Sequence, residues 1–371
     1  MIILVLHIII LSYCFAIIAL IYGFTKVNSY EYIGLTPKTK FSIIVPFRNE
    51  RDNLPILLQS LSELNYASGL FEVILVDDNS EEEFMIHTEI KSDFRFKISV
   101  IKNIRVSNSP KKDAIVTAMQ TVNTDWIITT DADCVVKTNW LLTIDNYIQL
   151  HKVAMIAGAV TYDCGNSFLH HFQQLDLASL QAATIGSFGI NKGFMCNGAN
   201  FAYTKAFFKE LNGFEGNEKI ASGDDVFLLQ KAMAKSPEKV HYLKSENTII
   251  TTKPLDNWKY LFYQRVRWAS KTSSYQSSFG KRLGLVIFAG NLGLVLGVGF
   301  GILNFIPLLN IILLFLLKFA VDTILIDKAN RFLNKRKMHF LVLSSLLYPF
   351  SSVSVALYSL FGKYEWKGRT F

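Results

Sequence analysis

The sequence predicts an α/β domain built on a parallel sheet and flanked at both ends by segments long enough to enter a membrane. Three observations carry this. Strand-like and helix-like stretches alternate from Phe41 to Thr130, two apolar strands end in paired acidic residues, and the apolar excess of the 371-residue chain is concentrated at its two ends. Such alternation puts parallel strands side by side with helices on both faces. Ligands of such sheets bind beyond the carboxyl ends of the strands.

Residues 2–24 form the first apolar run, long enough to cross a hydrocarbon core. No basic residue precedes it and no small-x-small site follows, so residues 1–25 read as a retained anchor rather than a cleaved leader. Residues 41–47 (FSIIVPF) are an apolar, β-branched run of buried-strand type, and residues 50–64 follow with helical spacing. Residues 71–76 (FEVILV) are a second buried strand, ending in Asp77-Asp78-Asn79-Ser80, and residues 97–101 a weaker third. Ser109 and Pro110 suit the cap and first turn of a helix reaching Gln120. Residues 126–130 (WIITT) form a fourth strand that runs into Asp131-Ala132-Asp133.

This domain spans residues 38–280. Beyond it, residues 283–305 and 307–326 read as two membrane spans. Lys328, Arg331, Lys335, Arg336 and Lys337 come next, and residues 339–361 with Pro349 form a third apolar stretch. Residues 281–362 are thus a membrane region and 363–371 a basic tail. The positive-inside rule puts the flank before Leu283, the 328–337 loop and the tail all on the cytoplasmic side. Three full crossings cannot satisfy that: either the segment around Pro349 re-enters or lies in the interface, or the tail departs from the rule.

Half of the residues are hydrophobic, and the formal net charge is +8. No base-reading basic helix, zinc spacing or RNA-binding signature accompanies that charge, which argues against nucleic acid as a partner. Basic membrane flanks and a phosphate-bearing substrate account for it. Cys14, Cys134, Cys164 and Cys196 lack paired spacing and fit a reduced compartment rather than a disulfide framework.

The candidate chemistry sits at the strand ends. Asp131 and Asp133, one residue apart, can hold a divalent cation that bridges a diphosphate. Asp77 and Asp78 can accept from a base N–H or a ribose hydroxyl; Asp78, Asn79 and Ser80 are also good turn caps, and both readings can hold on different side chains. Lys111 and Lys112 lie in a first helical turn, a poor place for cations unless an anion is bound there or the face is simply solvated. Asp224 and Asp225, after Ser222 and Gly223, open a helical stretch; acids are favourable there in themselves, and either could be a general base. Gln264, Arg267 and Trp268 share one face of a helix over 255–270, suited to a phosphate and a sugar ring or to an interfacial position beside the membrane. Asn197 and Gly198 lie in a compact stretch, 194–200, of small and amide residues, where Gly198 permits close backbone approach.

In this order the motifs resemble the membrane-associated family-2 glycosyltransferases, which include ceramide glucosyltransferase, hyaluronan synthase and cellulose synthase. The resemblance runs through Val45-Pro46-Phe47-Arg48-Asn49-Glu50, Val76-Asp77-Asp78-Asn79-Ser80, the Lys111 helix and Asp131-Ala132-Asp133. It continues with Cys196-Asn197-Gly198-Ala199-Asn200, Gly223-Asp224-Asp225 and Gln264-Arg265-Val266-Arg267-Trp268, and the C-terminal Trp366-Lys367-Gly368-Arg369 also looks like a family tail. It implies a Rossmann-like glycosyltransferase A fold, a nucleotide-sugar donor, a Mg²⁺ or Mn²⁺ ion and inversion at the anomeric carbon. Asp77 and Asp78 would then hold the uridine part and Lys111 would approach the nucleotide or its phosphates. Asp131 and Asp133 would sit at diphosphate and metal, with Asp133 the more direct ligand. Asp225 would be the base, and Gln264, Arg267 and Trp268 would close the donor site, with Asn197, Gly198 and Trp268 toward the acceptor. The family often has Glu before its base; Asp224 takes that place here, which leaves the choice between Asp224 and Asp225 open.

These expectations amount to a multi-pass cell-membrane enzyme with a cytoplasmic catalytic domain that transfers hexose to a lipid, lipid-linked or glycan acceptor. A processive polysaccharide synthase, a non-catalytic nucleotide-sugar-binding membrane protein and a small transporter are the competing readings. The last would need Lys318 and Asp322, at i and i+4 inside the second C-terminal span, to line a pathway; pairing with each other or anchoring near the interface is the other reading of these two.

Overall fold

The computed structural model describes residues 1–82, 94–218, 220–362, 365–366 and 369–370. They divide into two compact units. One comprises Asn28–Asp163 and Met195–Lys253; the other comprises Met1–Val27, Cys164–Phe194 and Pro254–Phe371.

The first unit is the α/β domain. Its strands are β1 (Phe41–Phe47), β2 (Phe71–Asp77), β3 (Lys97–Lys102), β4 (Trp126–Thr129), β5 (Cys134–Val135), β6 (Met155–Gly158), β7 (Val160–Tyr162), β8 (Phe201–Thr204), β9 (Val240–Leu243) and β10 (Ile250–Thr252). Seven make one sheet in the order β3-β2-β1-β4-β8-β6-β9, and β5-β10-β7 make a smaller one. The first four are parallel, as expected. The sheet as a whole is mixed, because β8 runs antiparallel to both β4 and β6.

β1 lies inside the sheet between β2 and β4, and Phe41, Ile43, Ile44 and Val45 are fully buried from both faces. That explains its largely apolar run, in which even Ser42 is buried, where a half-exposed strand would alternate. Leu54, Leu57, Leu58 and Leu61 line one side of the helix Leu54–Ser62 and pack into the same core. That helix is shorter than the expected 50–64 because Pro55 sits in its first turn, where its missing N–H costs nothing. The chain before β1 is extended and is tied down by two fully buried side chains of the helix Trp140–Leu150. Asn146 Oδ1 accepts from Ile33 N and Leu35 N, and Asp145 Oδ1 accepts from Lys38 N and Thr39 N. A segment without a ladder partner thereby has its donors satisfied.

The second unit is helical. Four of its helices, Ile2–Lys26, Ser278–Ile302, Leu308–Leu333 and Leu341–Phe361, are long and apolar enough to cross a membrane. Their outward side chains, among them Leu4, Leu11, Phe15, Leu285, Leu309 and Leu313, are exposed apolar groups that water would penalise and lipid would not. Pro349 lies inside an unbroken helix rather than at a re-entrant turn. Lys318 and Asp322 pair at 2.6 Å, and Tyr13 OH donates to the same carboxylate at 2.7 Å. A charge pair with a third partner fastens two apolar helices, which is how such groups are tolerated in lipid.

The helices Ile2–Lys26 and Phe168–Gly189 meet backbone to backbone. A Cβ at Gly186 would lie 2.4 Å from Leu20 O, one at Gly189 1.8 Å from Gly23 O, and one at Gly23 2.0 Å from Gly186 O. Glycines permit this approach, as small residues do between helices in lipid generally. Gly186→Val is therefore expected to destabilise the unit by about 3 kcal/mol or more, since no rotamer moves a backbone carbonyl away. Gly299→Ala, with nothing within 4 Å of its Cβ, is the control. Thermal unfolding in detergent checks both; equal midpoints would mean that the helices do not meet this way.

Candidate active site

The carboxyl ends of β2 and β4 carry the acidic pairs, and local hydrogen bonds fix each one. Asp77 Oδ1 accepts from Ser80 N at 2.9 Å, so the turn is capped by Asp77 rather than by Asp78. Asp78 is buried and accepts from Asn103 Nδ2 at 2.7 Å, with the Arg105 guanidinium 3.5 Å away. Asn103 Nδ2 also donates to Pro110 O, which ties the end of β2 to the first turn of the helix Pro110–Met119. Ser109 holds the expected cap position of that helix, but its hydroxyl donates to Ala221 O.

The two first-turn lysines serve different ends. Lys112 is buried, and Nζ donates to Asn217 O and Ile220 O, so it holds the loop ahead of Asp224. Lys111 meets carboxylates. Its Nζ lies 2.6 Å from Asp131 Oδ1 and 3.6 Å from Asp224 Oδ2. Burial alone would lower its pKa, but Asp131 and Asp224 outweigh burial and raise it, so the ammonium stays charged. Neither lysine lies on a merely solvated face.

Asp224 and Asp225 open the helix Asp224–Lys235 behind Gly223, whose φ of 82° favours glycine. Asp225 Oδ2 accepts from Gly198 N at 2.8 Å, and Thr129 Oγ1 donates to Gly198 O at 2.7 Å, so Gly198 is held from both sides. A Cβ there would sit 3.0 Å from Asp224 Oδ2 and 3.1 Å from Lys111 Nζ. The stretch around it has separate tasks. Asn197 Oδ1 accepts from Ala199 N, a local turn, whereas buried Asn200 donates to Ala159 O and Thr248 O and accepts from Trp140 Nε1. Lys111, Asp131, Gly198, Asp224 and Asp225 thus meet in one cluster. Thr129 and Arg105 join the surroundings, and no spacing in the sequence points to either.

Asp133, partly exposed beyond Asp131, has the Cys134 sulfur 3.8 Å from Oδ1. Burial, then Asp133 and Asp131, push the Cys134 thiol up, so it is neutral near pH 7 and no thiolate ligand. Among the described residues no three His, Cys, Asp or Glu side chains converge into a closed cage. A small hard cation needs none: it is commonly held by one or two carboxylates, with phosphates and water supplying the rest. Asp131 and Asp133 fit that arrangement.

Gln264, Arg267 and Trp268 belong to the helical unit, on the helix Trp258–Ser270. There Arg265 is the organising residue. Its Nε donates to Asp176 Oδ2 at 2.5 Å, its NH1 donates to Gln264 Oε1, and its guanidinium stacks 4.2 Å from the centre of the Trp268 ring. One ring face of Trp268 is therefore already covered. Asp176, within Phe168–Gly189, drew no attention in the sequence because nothing in its spacing marks it.

A mixed seven-stranded sheet with a parallel half and acidic strand ends is the glycosyltransferase A class of α/β fold. Residues 42–211, a little under half of the chain, match the family Glycosyl transferase family 2, and this stretch is a family-2 glycosyltransferase domain. A mannosyltransferase from Pyrobaculum calidifontis, solved with GDP-Man and Mn²⁺, shares the fold with a TM-score of 0.58 at 13% identity, over 97% of this chain and 99% of that one. An uncharacterized glycosyltransferase of Haemophilus influenzae is 34% identical over 92 residues, and the undecaprenyl-phosphate 4-deoxy-4-formamido-L-arabinose transferase of Photorhabdus laumondii 34% over 98. Each match covers 25% of this chain and 29% of the relative, so the chain spans less than a third of the length of these curated relatives.

Proposed function

We propose that the protein transfers a sugar from a nucleotide-diphosphate donor, UDP-linked, to a lipid or lipid-linked acceptor at the cytoplasmic face of the membrane, with inversion at the anomeric carbon. The observation that carries this reading is the cluster of Asp131, Asp224 and Asp225 around Lys111 at the strand ends of a family-2 domain. The four membrane-length helices and the lipid acceptor in the name of the Photorhabdus relative favour a lipid.

Asp77 and Asp78 hold the base and ribose, and Lys111 meets the phosphates. An acceptor oxygen attacks the anomeric carbon from the face opposite the diphosphate. The anomeric carbon–oxygen bond breaks, its electron pair stays on the leaving diphosphate, and Asp225 takes the proton of an acceptor hydroxyl. Asn197 and Gly198 line the acceptor side, and Gln264, Arg267 and Trp268 close over the donor. A divalent cation on Asp133 and Asp131, Mg²⁺ or Mn²⁺, would neutralise charge on the leaving group.

The test is release of nucleotide diphosphate from a panel of nucleotide sugars by the detergent-solubilised chain with Mn²⁺ or Mg²⁺ and membrane lipids, beside Asp133→Ala. Metal-dependent turnover with one donor, lowered ~10²-fold or more in the variant, is expected. Binding across the panel with no turnover would leave a non-catalytic nucleotide-sugar-binding protein.

A further inference from the structure

We propose that the loop joining the last two apolar helices binds the phosphate headgroup of an anionic membrane phospholipid. The loop follows Leu308–Leu333 and precedes Leu341–Phe361, and it bounds a hollow of about 470 Å³. Arg331, Lys335, Arg336 and Lys337 line the hollow against a single carboxylate, Asp327. A hollow so lined favours a net-negative headgroup over a zwitterionic one, and basic pockets beside membrane helices bind such headgroups.

The shape of this hollow is set by the protein itself. Asn330, buried, donates from Nδ2 to Arg336 O at 2.6 Å, and its own carbonyl accepts from Asn334 N and Lys335 N. Lys335 takes a left-handed conformation with φ 56°, which turns the chain back over the helix end. Arg336 NH1 donates to Cys164 O at 3.2 Å, fixing the far wall. Arg331 lies 2.7 Å from Asp327 yet is 78% exposed, so its fork remains within reach of a ligand.

A simpler account is that the cations only offset the negative end of the helix. That accounts for Arg331, the basic residue of its last turn, and the positive-inside rule accounts for basic residues in the loop as such, but neither gathers four cations round one hollow. Exposed Leu316, Leu317 and Ile324 on one helix, and Val342, Leu343 and Leu346 on the next, give acyl chains an apolar surface. Free phosphate would gain nothing from it.

The inference rests on these helices lying in a membrane, which flotation of the wild-type chain with phosphatidylcholine vesicles tests separately. The full chain is then extracted from bilayers of phosphatidylcholine with phosphatidylglycerol, and the retained lipids are counted by native mass spectrometry. Phosphatidylglycerol is expected to be enriched over its bulk share. That enrichment should fall roughly tenfold or more in Arg331→Gln/Lys335→Gln/Lys337→Gln. It should persist in Lys152→Gln/Lys209→Gln/Lys235→Gln, which removes the same charge elsewhere. Equal retention in the two triple variants would overturn the site, and so would displacement of the lipid by inorganic phosphate. A wild-type chain that fails to float would instead overturn the membrane reading.

Discussion

Asp225→Asn is expected to slow sugar transfer onto a hydroxyl acceptor by ~10²–10⁴-fold, the range for loss of a general base. Folding should change little. Asp225 Oδ2 accepts from Gly198 N and Oδ1 from Val226 N, and asparagine keeps one oxygen for one of these donors. Losing the other bond costs about 1 kcal/mol. Asp224→Asn is the comparison, because Asp224 faces Lys111 and would act on the charge of the cluster rather than on a proton. A larger loss from Asp224→Asn exchanges the two roles. Near-normal transfer by Asp225→Asn, with transfer by Asp133→Asn lost, removes the base from the mechanism. That outcome has its own chemistry, since a lipid phosphate needs no deprotonation before its oxygen attacks. Initial rates with melting midpoints alongside separate catalysis from folding.

What the sequence revealed follows from length and periodicity. β1, β2 and β4 are mostly buried and read as apolar runs interrupted only by Ser42 and Glu72, so the parallel half and its acidic ends were legible. β5 to β10 are two to four residues long, too short to show a period, and the antiparallel β8 lacks the acidic end that marks the equally short β4. Lys111 and Lys112 look alike in sequence, yet adjacent helical positions point in different directions. One enters the acidic cluster and the other fastens a loop. The pairing of Lys318 with Asp322 could be read from i,i+4 spacing. That of Arg265 with Asp176, 89 positions apart, could not.

Lys111→Met is expected to lower the melting midpoint of the metal-free protein by several degrees, for a loss of about 3 kcal/mol. This is the low end for breaking a buried pair, because Asp131 is 41% exposed and water screens part of the attraction. The loss should be the same across the neutral range. Asp131 and Asp224 raise the lysine pKa in the folded state. Its contribution is therefore complete below the unfolded value of about 10.4, and fades only as pH rises through the still higher folded value. Without the ammonium, Asp131 and Asp224 face one another's charge with less compensation. Added Mn²⁺ should then stabilise the variant more than the wild type, and calorimetric titration should show tighter binding of the ion before any donor is present. Equal Mn²⁺ effects in both proteins would mean that the ammonium and the ion do not compete for these carboxylates. Lys111 would then act on the donor phosphates alone, and the variant's deficit would appear as a raised KM for the nucleotide sugar.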